Sequence, residues 1–429
     1  MEQKCFLSIL KKTFNEAIKP QESIYLKINL ENIDLRAVLN QVCCEKVYYF
    51  KSKYNDFSLL SVGLVKNFSS TDEIINFQRE FPDTYLCAPL KFDDTQYSPV
   101  QLSNIYLGEW TFVTINNKTT LTIFSDPKTK TYSPPEVFFE NLEVSHHDIP
   151  LPSWSGDELI PDNQAWSDKI DEVKELFKET ELKKIVLSRK RIFEYEYPLL
   201  PKSFFNALTN GQMNAQDCYQ IFFQEDLGNA FISLSPEKLF SLNKNNVSTI
   251  ALASSTPRNN DQKLDDIQNS LLTSDPKLVE EHQIVVDEIK QSLKQICSDI
   301  HSNDLKIMKL SYIQHRAVDI TATLCLGFNA IDLLTFLHPT PAVGGLPKSN
   351  AISYIPKIEE YYREYYASPF GVLSSEFSEF AVAIRSGRIQ NNKITIYAGA
   401  GILPNSIAED EWNETTNKMT PFIRVINHE

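Results

Sequence analysis

The sequence has no cysteines at metal-binding spacing, no long apolar run, little glycine and a shortage of positive charge, and each absence excludes a class of protein. Its 7 cysteines include the neighbours Cys43 and Cys44 but no CxxC, so they supply neither a zinc-ligand pattern nor an even disulfide framework, and reduced thiols are expected. No stretch approaches the ~18 apolar residues of a membrane helix, and at the N-terminus only Phe6 to Leu10 is apolar before charge returns. Neither export nor a membrane span is expected, which makes the expected location cytoplasmic. With 42 Lys and Arg against 56 Asp and Glu, the formal net charge is −14. That field repels nucleic acid and anionic membranes, so neither is an expected partner. A small anionic substrate would need cations concentrated around it.

What is present is ordinary for a globular chain, with 42% hydrophobic residues. Of the 12 glycines, half lie between Gly344 and Gly401, where the backbone is therefore expected to turn sharply or approach a ligand. Residues 1–150 read as strand-rich (SIYLKINL, KVYYF, FSLLSVGLV, TYLCAPLKF, WTFVTINNKTTLTIF) and carry no site. The stretch 146–162, rich in Pro, Ser and Asp, reads as a connection between two halves, and the adjacent His146 and His147 point apart there, as in a surface loop rather than a metal site. A helix is predicted from Trp166 to about Leu182 on its Ile170, Val173 and Phe177 stripe, followed by a buried strand from Lys184 to Ser188. Ser235-Pro236-Glu237 has the form of a helix start, and Ala351 to Tyr366 that of a tyrosine-rich helix.

Two stretches carry residues out of place. From Pro276 to about Ile300 runs an amphipathic helix with Leu278, Val285, Ile289, Leu293 and Ile296 on its apolar stripe, and Glu281 falls on that stripe. A carboxylate there must be neutralised by a cation, a metal or a proton. Further on, Ser378 to Glu414 reads as a strand, a polar Gln390–Lys393 turn, a second strand and a helix opened by a Ser406-x-x-Glu409 capping box. Arg385 points from its otherwise apolar first strand, Gly399 and Gly401 bring bare backbone to a strand end, and Glu411 and Glu414 stand three apart on the helix. Alone, the glutamate pair reads as a solvated face favoured by the helix dipole, and Arg385 equally as half of a structural ion pair.

The separated motifs KIVLSR (184–189), FISLSPEKL (231–239), ALASSTPR (251–258), EEHQIVVDEI (280–289), LHPTPAVGGLP (337–347), EFAVAIRS (379–386), IYAGAGI (396–402) and EWNET (411–415) resemble the chorismate-utilising enzymes. That family holds the isochorismate synthases, the salicylate synthases and the large subunits of anthranilate and aminodeoxychorismate synthases. The resemblance implies one large α/β (α+β) domain of two stacked β-sheets flanked by helices, with 1–150 as its variable N-terminal part and 165–429 as the chorismate-binding catalytic portion. Lys184 stands where isochorismate and salicylate synthases place a water-activating lysine. Ala253 stands where aminodeoxychorismate synthases carry a nucleophilic lysine, and HPTPAVGG, with Ala342, matches the isochorismate type. The implied activity is Mg²⁺-dependent isochorismate synthesis from chorismate, feeding menaquinone, siderophore or salicylate synthesis and needing no glutaminase subunit. The alternatives are a salicylate synthase or a non-catalytic chorismate-binding homologue.

The same resemblance implies Lys184 as base and Glu237 as acid for a reaction in which water attacks C2 and the C4 hydroxyl leaves. A glutamic acid that donates a proton near neutrality must be raised well above its free value near 4.3. Mg²⁺ would be held by Glu281 and Glu414, with Glu411 through water. Ser254, Ser255, His315, Ala342, Tyr366, Arg385, Tyr397 and Gly399 would line the substrate. This chain departs from the family pattern at Ser254, Ser368 and Ser378, which replace glycines, at Leu278, which replaces an acid, and at Arg316, which replaces a leucine. Of these, Ser254 is expected to crowd the substrate ring hydroxyl.

Overall fold

The computed structural model describes residues 10–15, 25–30, 33–92, 102–125, 132–139, 152–210, 215–259, 261–310 and 313–428, so His146 and His147 lie outside the described residues. Two large antiparallel sheets carry the fold. The first, of twelve strands, runs Tyr25–Leu30, Lys118–Phe124, Trp110–Ile115, Phe57–Val62, Val47–Lys51, Tyr219–Asp226, Asn229–Ser235, Ser386–Gln390, Lys393–Ile402, Lys184–Tyr195 and Gly345–Leu346, with Trp154–Ile160 also pairing Lys184–Tyr195. The second, of ten, runs Cys297–Ser302, Ile313–Leu324, Asn246–Pro257, Lys238–Asn243, Phe377–Val382, Pro369–Leu373, Leu86–Pro89, Tyr106–Leu107 and Lys66–Asn67, with Lys306–Lys309 also pairing Ile313–Leu324. Strands from the first 125 residues thus enter both sheets.

Apolar side chains pack in layers. Between the sheets lie Tyr48, Phe50, Tyr219, Phe223 and Phe231 of the first against Cys87, Tyr106, Phe370 and Val372 of the second. The Phe231 and Phe370 rings stack with centroids 5.1 Å apart, an arrangement that adds ring–ring attraction to burial. Outside the first sheet, the C-terminal helix Ala408–Ile426 contributes Met419, Phe422 and Ile426, and helix Pro201–Asn210 contributes Phe204 and Phe205. Outside the second, helix Pro276–Leu293 buries Val285, Val286, Ile289 and Leu293. Asp275 caps that helix by accepting from Leu278 N, and Pro276 opens it at a position that needs no N–H donor.

Two of the chain's passages between the sheets lie at neighbouring places. Strand Asn229–Ser235 of the first sheet passes through Pro236-Glu237 into Lys238–Asn243 of the second, and strand Phe377–Val382 of the second passes through Ala383 to Arg385 into Ser386–Gln390 of the first. The two crossings are laced together. Leu234 N donates to Arg385 O at 3.1 Å, Val382 N donates to Glu237 O at 3.1 Å, and the hydroxyls of Ser233 and Ser235 donate to Ile384 O and Val382 O at 2.6 and 2.5 Å. Ser235-Pro236-Glu237 is therefore a sheet-to-sheet step and not a helix start, because its backbone groups go to the neighbouring crossing.

Other boundaries also differ from the sequence reading. The C-terminal helix begins at Ala408, and Ser406 instead accepts from Leu403 N at 3.0 Å, closing the turn before it. Helix Lys348–Glu359 ends at Glu360, whose φ of 61° is left-handed, so Tyr366 lies in a turn beyond it. The stretch around His315 is the long strand Ile313–Leu324.

Candidate active site

A cavity opens beside the double crossing and is walled by both sheets and the C-terminal helix. It is lined by Glu237, Ser254, Ser255, Glu281, His315, Ala342, Tyr366, Arg385, Tyr397, Gly399 and Glu414, together with Val186, Leu252, Ala253, Val343, Ile384, Ala398, Gly401 and Lys418. The structure therefore brings together residues spread from position 186 to position 418. Lys184 and Glu411, predicted on the same grounds, reach the site through partners: Lys184 through Glu281, Glu411 as the neighbour of Glu414 on the helix.

Lys184 opens its strand fully buried, and its ammonium donates to Glu281 Oε1 at 2.9 Å. Glu281 reaches it from the apolar stripe of helix Pro276–Leu293. Burial would raise the Glu281 carboxyl, but the charge and hydrogen bond of Lys184, the charge of Lys418 and the Ser254 hydroxyl outweigh it and hold the group below its ordinary value. Gly401 makes room for the pair: a Cβ there would stand 2.6 Å from Glu281 Oε1 and 2.9 Å from Lys184 Cε, closer than side chains pack.

Glu237 sits at the first crossing, 5% exposed. Burial raises its carboxyl to about 8, although Lys418, Lys184 and Arg385 pull the other way. Desolvation wins because the group has no ion pair, and the side chain is held as an acid at neutral pH.

Arg385 sits at the second crossing and not within a strand, with a left-handed φ of 50° that is costly for a residue with a Cβ. Its guanidinium is buried with Nη2 unpartnered. His315 accepts or donates through Nδ1 to Ser255 Oγ at 3.0 Å, while its buried Nε2 has no partner. Burial, then Arg385, Lys418 and Lys53, hold the imidazole neutral. Buried polar atoms without partners cost stability, and a guanidinium so placed fits an anionic ligand that would satisfy it. The Tyr366 and Tyr397 rings stack at 5.3 Å, and Gly399 leaves space for the Tyr366 hydroxyl, which would lie 2.8 Å from a Cβ there.

Ser254 lines the cavity from a bulge at φ 60°, and its hydroxyl donates to Leu278 O at 2.7 Å and Glu281 Oε2 at 3.0 Å. Ser368 donates to Tyr365 O at 2.7 Å, Ser378 is buried in its strand, and Arg316, buried on the opposite face from His315, donates to Leu272 O.

The cation missed by sequence reading is Lys418. It lines the cavity, donating to Gly399 O at 2.9 Å and pairing with Glu414 at 2.5 Å. Its spacing of four from Glu414 reads in sequence as an ordinary helix-surface pair, and nothing in the letters marks that face as buried.

The proposed metal-binding carboxylates are each met by a lysine: Glu281 by Lys184, Glu414 by Lys418, and Glu411 by Lys277 at 2.8 Å. Among the described residues no three His, Cys, Asp or Glu side chains are gathered as a ready metal cage. The donor chemistry nonetheless fits Mg²⁺, being hard carboxylate oxygen from two facing helices. Glu411 is pushed up by burial and then by Glu414, so two carboxylates crowd one space that a divalent cation would neutralise.

A buried ion pair braces the wall. Arg363 pairs with Glu359 at 2.6 Å and donates to Val343 O at 2.7 Å and Val186 O at 2.8 Å, while Glu359 accepts from Ser188 N at 2.6 Å. It ties the irregular Ala342-Val343 stretch to the strand that Lys184 opens.

The family model described as Chorismate binding enzyme matches residues 74–427. Isochorismate synthase MenF of Haemophilus influenzae is 28% identical over 416 residues, covering 95% of this chain and 93% of that protein. Isochorismate synthase MenF of Escherichia coli is 30% identical over 383 residues, covering 86% of this chain and 85% of that protein. The solved structure of the menaquinone-specific isochorismate synthase MenF from Escherichia coli matches with a TM-score of 0.87 at 25% identity, over 99% of this chain and 100% of that one. Anthranilate synthase component I from Streptococcus pneumoniae shares the fold, with a TM-score of 0.63 at 19% identity over 95% of this chain and 94% of that one.

Proposed function

The chain belongs to the chorismate-binding enzymes, and from that premise we propose that it is a Mg²⁺-dependent isochorismate synthase whose catalytic portion is 165–429. The observation that carries the reading is Glu237, a buried cavity carboxyl held protonated to about 8, close enough to Lys184 to feel its charge. Moving a hydroxyl from C4 to C2 of a dihydroaromatic ring needs a base for the incoming water and an acid for the departing oxygen.

Once it has given up its own proton and stands as the free amine, Lys184 takes the proton of the water that attacks C2, the ring double bonds shift, and Glu237 gives its proton to the C4 oxygen as it leaves. One water enters and one departs, so the reaction is an isomerisation. Arg385, whose Nη2 is unpartnered, takes the enolpyruvyl carboxylate with Tyr366 and the backbone at Gly399. Ser255 and His315 face the ring from the second sheet, with Ala342 and Tyr397 closing the sides. Lys418 adds a positive charge that the dianion needs in a chain of net charge −14. Bound through Glu281 and Glu414, with Glu411 behind them, Mg²⁺ would supply charge to the ring carboxylate. Water is the nucleophile, so no glutaminase subunit is needed, and a cytoplasmic location gives access to a soluble dianion.

The purified protein, incubated with chorismate and Mg²⁺, is expected to form isochorismate without releasing pyruvate. Pyruvate release would identify a salicylate synthase, and tight chorismate binding without turnover a non-catalytic homologue. A Lys184→Ala variant as active as the wild type would overturn the assignment of the base.

A further inference from the structure

Lys277 is not used by the reaction just described, yet it stands at the metal end of the site. It lies in the first turn of helix Pro276–Leu293, four before Glu281 and so on the same helical face. From there it spans to the C-terminal helix and meets Glu411 Oε1 at 2.8 Å. The Glu411 side chain is 3% exposed and that of Lys277 30%, so the ammonium approaches a buried carboxylate from the open side. The three carboxylates, Glu281, Glu414 and Glu411, are thus shared among Lys184, Lys418 and Lys277, which leaves the protein without metal locally neutral.

We propose that Lys277 is an internal counter-cation that competes with the metal for Glu411 and sets how tightly the metal binds. This rests on the reading of Glu281, Glu411 and Glu414 as the Mg²⁺ site. Lys184 and Lys418 cannot play the same part, because Lys184 is fully buried and Lys418 lines the substrate cavity with a second bond to Gly399 O, whereas the Lys277 side chain is 30% exposed and has solvent to move into. A divalent ion entering beside Glu411 meets Lys277 as a like charge at close range, so the ammonium must leave as the metal arrives. Exchanging one ammonium for a divalent ion leaves the formerly neutral cluster with a net positive charge, which the substrate dianion offsets. The lysine therefore makes metal binding weak without substrate and stronger with it.

The test is calorimetric titration of Mg²⁺ into the full-length wild-type, Lys277→Gln and Lys277→Arg proteins without substrate, together with their thermal midpoints. Lys277→Gln is expected to bind Mg²⁺ about tenfold more tightly, as removal of one competing ion pair allows. Lys277→Arg, which keeps the cation, should stay near the wild type. Without metal the Gln variant should melt lower than the wild type and regain its midpoint on Mg²⁺ addition, which separates lost counter-charge from general damage. Unchanged or weaker Mg²⁺ binding by a folded Lys277→Gln protein overturns the proposal while leaving the metal site standing. No Mg²⁺ binding by any of the three overturns the metal site and the proposal together.

Discussion

The Ser254 hydroxyl lies 3.0 Å from Glu281 Oε2, on a residue whose φ of 60° is a glycine conformation. A serine at this bulge carries a backbone cost and returns a hydrogen bond to the carboxylate that also holds Lys184. Ser254→Ala keeps the cost and loses the bond, whereas Ser254→Gly loses both. Urea unfolding should rank the Gly variant above the Ala variant by about 1 kcal/mol. Equal stabilities would show that the left-handed backbone is not strained.

Glu237 links activity and stability through pH in the same sense, both falling as it ionises. Its folded value of about 8 lies above that of a free carboxyl, so between the two the native state holds a proton that the unfolded chain has lost. Stability from this group is fully present below the unfolded value and declines as pH rises towards about 8. Glu237→Gln should therefore abolish isochorismate formation yet raise stability at pH ~8 by about 1–3 kcal/mol, with little gain at pH ~4. The wild-type kcat should fall as pH rises through the same titration. Denaturant unfolding at the two pH values checks the first claim and a pH–rate profile the second.

Gly401→Ala places a methyl group into the Lys184–Glu281 pair, 2.6 Å from the carboxylate oxygen. Displacing a general base by about 1 Å costs on the order of a hundredfold, so kcat should drop by about that factor. Circular dichroism should match the wild type. Retained turnover would mean that the pair can shift without consequence.

Arg363→Met removes the partner of a carboxylate buried under the strand that Lys184 opens, leaving Glu359 uncompensated. Loss of one member of such a pair costs about 3–5 kcal/mol, measurable by chemical denaturation. The freed Val343 carbonyl should also loosen the cavity wall, so KM for chorismate rises in the surviving folded protein. A loss below about 1 kcal/mol would place the pair with surface bridges.

Much of this site was legible because chemistry had put residues where patterning forbids them. Glu281 on an apolar stripe announced a partner, and the polar Gln390–Lys393 turn correctly marked a hairpin, with Ser386–Gln390 pairing Lys393–Ile402. What escaped was whatever depends on the second sheet. Arg385 reads as a strand residue because left-handed arginine has no signature in the letters, and Pro236-Glu237 reads as a helix start because Ser-Pro-Glu serves equally well at a crossing. Lys418 and Lys277 were hidden as ordinary helix-surface lysines, since only folding shows which carboxylates each one meets. The strand-rich first third was recognised as such, but its share in both sheets rests on long-range pairing that local pattern does not encode.

The adjacent crossings at Pro236-Glu237 and Ala383–Arg385 give the thickness of the protein a chemical meaning. Because Glu237 and Arg385, the proposed proton donor and anion clamp, both ride on segments stretched between the layers, the gap set by rings such as Phe231 and Phe370 would act as a ruler for the proposed reaction. A substitution that thins this aromatic filling would retune catalysis from a distance, touching neither substrate nor metal.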